Sequence, residues 1–114
     1  MPTIAILGAS TDRSKFGNKA VRVFVAKGYQ VFPVNPKEKT IEGLAAYPSI
    51  LDVPVSNLDR VSFYLPPPVG LKVIADVAQK GAKEVWLNPG AESDELVEKG
   101  ESLGLQMIQA CSIV

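Results

Sequence analysis

Gly8, Ala9, Ser10 and Thr11, with Arg13 and Lys15 close behind, are the residues of this chain best suited to hold an anion. Small side chains leave the backbone N–H groups of such a turn open, two hydroxyls can donate, and two cations add charge. That combination suits phosphate. The plain alternative is that Ser10 and Thr11 only cap and tighten a turn. Whatever its role, the turn must be delivered by a strand and left by a helix. Thr3 to Leu7 is a short apolar run rich in branched side chains, the pattern of a strand buried on both faces. A helical stripe starts near Gly17 or Asn18 and carries Ala20, Val21, Phe24 and Val25, with Gly28 at a left-handed C-cap position.

The remaining elements follow in alternation. Gln30 to Val34 reads as a second strand, although Pro33 is awkward in a central ladder, so a distortion is expected near the strand's carboxyl end. A long irregular connection runs from Asn35 past Tyr47-Pro48-Ser49, with one short helical turn at Ile50 to Val53. Arg60 to Leu65 is a third strand, stopped by Pro66-Pro67-Pro68, and the next helix starts at about the last of these prolines. That helix ends at Gly81, and Glu84 to Leu87 forms a fourth strand with Asn88-Pro89-Gly90 as its turn. Ser93 is an N-cap, with Asp94 and Glu95 in the favourable first turn of a helix ending at Gly104. Leu105 to Ala110 is the fifth strand. The alternation predicts a Rossmann-like, doubly wound α/β fold, with one parallel five-stranded sheet and a single domain over residues 1–114. The expected strand order is 3-2-1-4-5, with a crevice above the first strand where the winding reverses.

Composition removes several classes of chemistry. There is no histidine, so Ser-His and Cys-His nucleophile pairs, an imidazole base and a histidine metal ligand are all excluded. The single cysteine, Cys111, rules out an internal disulfide, makes a zinc site improbable and fits a reducing cytoplasm. No apolar run nears the roughly 18 residues of a membrane span, and the N-terminus lacks signal-peptide character. Net charge is zero but unevenly placed: residues 1–39 carry seven bases against Asp12 and Glu38. A basic first third on a neutral chain suggests a small anionic ligand at one end, not a nucleic-acid surface.

Ligands of open α/β sheets sit outside the carboxyl ends of the strands. Here those ends are Gly8-Ala9-Ser10, Asn35-Pro36-Lys37, Leu65-Pro66-Pro67, Asn88-Pro89-Gly90 and Ala110-Cys111. None carries a carboxylate, so acid–base catalysis and metal-assisted phosphoryl transfer have no obvious agent. The dinucleotide fingerprint G-x-G-x-x-G is met only at Gly8, since Ser10 and Arg13 hold its other two positions. The acid that would grip ribose hydroxyls is replaced by Asn35 and then Lys37. A lysine there favours an extra phosphate on the ribose, as in NADP or coenzyme A.

The ordered series Gly8-Ala9-Ser10, Lys15-x-Gly17-Asn18, Val34-Asn35-Pro36-Lys37, Tyr47-Pro48-Ser49, Tyr64-Leu65-Pro66-Pro67-Pro68 and Ala110-Cys111-Ser112-Ile113-Val114 resembles a known family. It is similar to the CoA-binding domain of small stand-alone bacterial proteins. The same domain opens the α subunit of succinyl-CoA synthetase and the NDP-forming acyl-CoA synthetases. The resemblance covers essentially the whole chain, and its motifs are specific as an ordered set, not singly. It implies that Gly8 to Thr11 approach the coenzyme phosphates, with Arg13 and Lys15 in the same loop. It implies that Asn35, Pro36 and Lys37 hold the adenosine end, with Lys37 paired to the 3′-phosphate. Leu65, Pro66 and Pro67 would pack beside the adenine or pantetheine, joined by Val69, and Asn88 and Gly90 would lie near the pantetheine path.

The synthetases need further domains, including an active-site histidine and a nucleotide-grasping module, and the sequence has neither. The expectation is binding of coenzyme A or an acyl-CoA without catalysis. Two other classes stand beside it: an NADP-dependent oxidoreductase or CoA-ligase subunit needing a protein partner, and an interaction protein with a vestigial pocket. Tyr64 divides evenly between packing and ligand contact, and Trp86 is expected in the core or at a partner surface. Cys111 either packs as a small hydrophobe or turns its thiol toward that of the coenzyme.

Overall fold

Having no polar face to offer water, the run Thr3–Leu7 forms β1 with a strand on either side. The structure, a computed structural model, describes residues 1–114. On one side β1 pairs with β2 (Gln30–Val34), and on the other with β5 (Leu58–Phe63), both parallel. β6 (Ala82–Leu87) and β7 (Met107–Gln109) extend the sheet beyond β5, also parallel. Three helices intervene: α1 (Phe16–Ala26), α2 (Pro67–Lys80) and α3 (Asp94–Ser102). The architecture is the Rossmann-like, doubly wound five-stranded α/β domain that the alternation predicts. No helix is long and apolar enough to cross a membrane.

Period-two alternation sorts the core into two layers. Ile4 and Ile6 of β1 meet Ala20, Val21 and Phe24 of α1 on one face. Ala5 and Leu7 turn to the other face, where Val61, Phe63, Val85 and Leu87 pack with Ile74 and Val77 of α2 and Leu96 of α3. Phe24 and Phe63 are fully buried, each contributing about 2–3 kcal/mol of apolar transfer. As expected, Ser93 caps α3, its Oγ accepting from the Leu96 N–H at 3.1 Å.

The strand order differs from the expected 3-2-1-4-5. It is β2-β1-β5-β6-β7, so the third predicted strand lies against β1 and leaves β2 at the edge. Pro33 gives the reason. In the expected order β2 would be an inner strand, and a residue without an N–H would break its ladder. At the edge, the Pro33 carbonyl faces outward and accepts from the Tyr47 N–H at 2.9 Å, while Tyr47 returns its carbonyl to the Asn35 N–H. Residues of one parallel strand alternate between neighbours, so the missing donor of Pro33 points away from β1.

Several boundaries also move: the fourth strand, expected at Glu84 to Leu87, starts at Ala82, and the fifth, expected at Leu105 to Ala110, is only Met107–Gln109. The third strand, expected at Arg60 to Leu65, runs from Leu58 to Phe63. Its start is pinned by the Asp59 carboxylate, which accepts from the Thr3 N–H at 2.8 Å, and by buried Leu58. The second helix begins at Pro67, one residue earlier than expected. The connection after β2 holds a small hairpin, β3 (Thr40–Ile41) and β4 (Leu44–Ala45), turned by Glu42 and Gly43 at positive φ. A single 3-10 turn follows at Ile50–Asp52. Because α1 covers one face and α2 the other, β1 and β5 flank the point where the winding reverses. Their carboxyl ends open a crevice there.

Candidate ligand-binding cleft

The loop from β1 to α1 is the floor of that crevice. Gly8 turns the chain with φ 86°, and a Cβ there would lie 2.5 Å from the Tyr64 carbonyl oxygen. A Cβ at Gly17 would collide with the Gly8 carbonyl, so the start of α1 rests directly on the loop. Side chains hold the loop from both ends. Asn35 Nδ2 donates to the Ala9 carbonyl at 2.8 Å, and Asn18 Nδ2 donates to the Ser10 carbonyl at 2.9 Å. The Asp12 carboxylate accepts from the Ser14 hydroxyl and N–H at 2.6 and 3.0 Å, which holds its carboxyl below the usual range. No side chain caps the first turn of α1, and the N–H groups of Phe16 and Gly17, at the cleft wall, have no backbone acceptor. With Lys15 as the residue before that turn, the floor is electropositive.

Three adjoining cavities make a groove across the strand ends. The largest, about 540 Å³, is walled by Gly8, Ala9, Ser10 and Lys15, by Val34, Asn35 and Pro36, and by Tyr64 and Leu65. Its far side is Pro48, Ser49 and Ile50 facing Val69, Val73 and Asp76 of α2. A second cavity of about 300 Å³ shares Gly8, Lys15, Tyr64 and Leu65 and adds Phe16, Gly17, Pro66, Pro89, Gly90 and Ala91. A third of about 110 Å³ lies beyond it, bounded by Phe16, Tyr64, Asn88, Pro89 and Cys111. The groove thus has an apolar slot at one end, a phosphate-type loop at its centre and a narrow arm at the other end.

Most of the expected site residues line this groove: Gly8, Ala9, Ser10, Lys15, Asn35, Pro36, Leu65, Pro66, Val69, Asn88 and Gly90. Four expected residues do not form its walls. Thr11 is exposed, and Arg13 turns its guanidinium to Glu42 at 3.5 Å. Lys37 is exposed just past Pro36 and has no salt bridge, while Pro67 opens α2. Asn88 reaches the third cavity, but its amide is spent within the fold. It donates to Ser62 Oγ and the Phe63 carbonyl and accepts from the Ser112 N–H, at 2.7, 2.8 and 2.8 Å.

Sequence reasoning missed Ile50, Val73 and Asp76 as wall residues. Val73 was within reach, because it stands one turn after Val69 on the same helix face. Tyr64 resolves toward the groove, lining all three cavities with its phenol 3.3 Å from Ser112 Oγ. Burial pushes the Tyr64 phenol above its ordinary range, and the hydrogen bond to Ser112 offsets only part of this. Its neutral form is therefore favoured by folding, and stability should fall as pH rises past about 10. Ultraviolet titration of a Tyr29→Phe, Tyr47→Phe variant, in which Tyr64 is the remaining phenol, is expected to show a midpoint above that of free tyrosine.

Known proteins resemble this chain in sequence and in fold. The CoA binding domain family matches residues 2–114. Over 86% of its length the chain is 35% identical to an ADP-forming acetate–CoA ligase (form II) of Archaeoglobus fulgidus, covering 15% of that protein. A conserved hypothetical protein from Pyrococcus furiosus is similar in structure, with TM-score 0.86 and 36% identity, covering 96% of this chain and 93% of that one. The dinucleotide-forming acetyl-coenzyme A synthetase 1 of Ca. Korarchaeum cryptofilum, solved with phosphate and ADP, gives TM-score 0.79 and 32% identity. That match covers 92% of this chain and 25% of the synthetase. The chain spans at most a quarter of the length of the curated relatives it matches. With a phosphate-type loop at the switch point of its sheet and a family match over nearly all its residues, the chain belongs to the CoA-binding domain family.

Proposed function

We propose that this domain binds coenzyme A or an acyl-CoA and performs no chemistry on it by itself. The observation that carries the reading is the order of features along one groove. The apolar slot between Ile50 and Val69 suits an adenine, the Gly8–Lys15 floor suits the diphosphate, and the arm past Pro89 suits pantetheine. Lys37, exposed one residue past the Pro36 wall and without an ion pair, would meet a ribose 3′-phosphate at the rim. The groove carries no nucleophile with an adjacent base, which supports binding without turnover.

Calorimetric titration with coenzyme A, 3′-dephospho-CoA and NADP tests this. Lys15→Ala is expected to weaken coenzyme A by about tenfold, the worth of one charge-assisted hydrogen bond. Lys37→Ala should weaken coenzyme A and leave 3′-dephospho-CoA unchanged. Absence of heat with coenzyme A would overturn the proposal, and tighter binding of NADP would redirect it to an oxidoreductase.

One observation favours a second reading, a CoA-holding piece of a ligase completed by a partner chain. The curated relatives are acetate–CoA ligases and their α subunits, of which this chain spans at most a quarter. Acetyl-CoA formation from acetate and coenzyme A with ATP, seen only when a co-purifying partner is added, would establish it.

A further inference from the structure

We propose that Asp76 accepts a hydrogen bond from the exocyclic 6-amino group of the ligand's base, which makes the apolar end of the groove selective for a 6-aminopurine. This rests on the reading of the groove given above and adds the residue that chooses the base. Only two charged side chains line the largest cavity, Lys15 at the phosphate loop and Asp76 on α2. A carboxylate in a groove for a polyanion repels it, so Asp76 lowers affinity unless some part of the ligand donates to it. The phosphates have no such donor. The base does.

Helix geometry sets where the acid lies. Val69, Val73 and Asp76 are four and then three positions apart, so they stand in a row on one face of α2. The row rises about 10 Å along the helix axis, enough for a purine and a hydrogen bond beyond it. Val69 is in the first turn of α2, near the strand ends, and Asp76 is two turns farther from them. A base packed on the two valines, with Pro48 and Ile50 on its other side, would turn an edge to the carboxylate. In adenine the amine is on the ring farther from the sugar, at that edge. The carboxylate is also unengaged. Asp76 is half-buried, and no hydrogen bond or ion pair holds it within the fold. Neither lysine one helical turn away neutralises it: Lys80 donates to the Val53 carbonyl at 2.6 Å, and Lys72 is exposed and forms no ion pair.

The experiment is calorimetric titration with the 3′,5′-bisphosphates of adenosine, of purine riboside, which lacks only the amine, and of 2′-deoxyadenosine. Adenosine bisphosphate is expected to bind about tenfold tighter than the purine riboside compound, the effect of one hydrogen bond to a charged group. In Asp76→Ala that ratio should fall to about one. In Asp76→Asn, whose amide oxygen still accepts, it should stay at about threefold. The preference for adenosine over 2′-deoxyadenosine should be the same in all three proteins. Because Asp76 has no partner within the fold, both variants should melt with the wild type, which separates a change of recognition from a loss of structure. Equal wild-type affinity for the adenosine and purine riboside compounds, or an unchanged ratio in Asp76→Ala, would overturn this inference and leave coenzyme A binding standing. A 2′-deoxyadenosine ratio that moves in Asp76→Ala while the amine ratio does not would assign the carboxylate to the ribose and overturn it too. Failure of coenzyme A and all three bisphosphates to bind would remove the reading of the groove, and this inference with it.

Discussion

Gly8→Ala is expected to destabilise the protein by about 2–4 kcal/mol and to abolish coenzyme A binding. Two costs combine at this position. The backbone is at φ 86°, where an L side chain is strained, and the added Cβ would sit 2.5 Å from the Tyr64 carbonyl oxygen. That carbonyl belongs to the backbone just past β5, held in place because the Tyr64 N–H donates to the Leu7 carbonyl at 2.8 Å. Neither chain can move without parting β1 from β5, the two strands that frame the cleft. Gly28→Ala is the control. Gly28 has φ 85° but open space around it, so it should cost only the backbone strain, about 1–2 kcal/mol. Urea denaturation of the two variants, with coenzyme A titration, separates the collision from the strain. Equal losses would mean that the Tyr64 carbonyl yields freely and that the loop is less rigid than its packing indicates.

The second large effect is expected at Asn88, only 2% exposed. Asn88→Ala should cost about 2–4 kcal/mol, because it strands the buried Ser112 N–H and takes one hydrogen bond each from Ser62 Oγ and from the Phe63 carbonyl, which keeps only the backbone N–H of residue 88 at 3.4 Å. These bonds tie the end of β6 to the end of β5 and to the closing segment Cys111–Val114. Ser62 Oγ and Ser112 Oγ, 2.8 Å apart, complete the network. Ser112→Ala removes one hydroxyl while keeping the N–H bonded to Asn88, and should cost only about 1 kcal/mol. Denaturation midpoints measure both losses. In Asn88→Ala, Cys111 should also alkylate faster, since its neighbour Ser112 is no longer held. If Asn88→Ala lost no more stability than Ser112→Ala, the tail would be anchored by something other than this amide.

Much of this was legible in local spacing. A buried strand at Thr3–Leu7, the turn at Gly8, the cap at Ser93 and the strand at Gln30–Val34 all follow from residues within a few positions of one another. The same holds for the groove residues at strand ends, such as Ser10, Asn35, Leu65 and Gly90, because a strand's carboxyl end is itself a local feature. The opposite wall was not legible. Ile50 and Asp76 reach the groove only because the crossover after β2 and the length of α2 bring them there. Nor was the internal use of Asn88, whose partners Ser62, Phe63 and Ser112 are more than twenty positions away.

Taken along the chain alone, the residues give the α/β alternation, the single parallel sheet, the small-residue turn at Gly8 and the exclusion of histidine chemistry. These are properties of periodicity, turn residues and composition. The folded arrangement alone puts β5 beside β1, because strand order depends on which strand tolerates an open edge. Pro33 and Tyr47 answer that question together, fourteen residues apart and joined only by the fold. It also decided that Asn88 serves the fold and that Cys111 closes a small cavity, since both depend on groups that the chain brings together only when the sheet is complete.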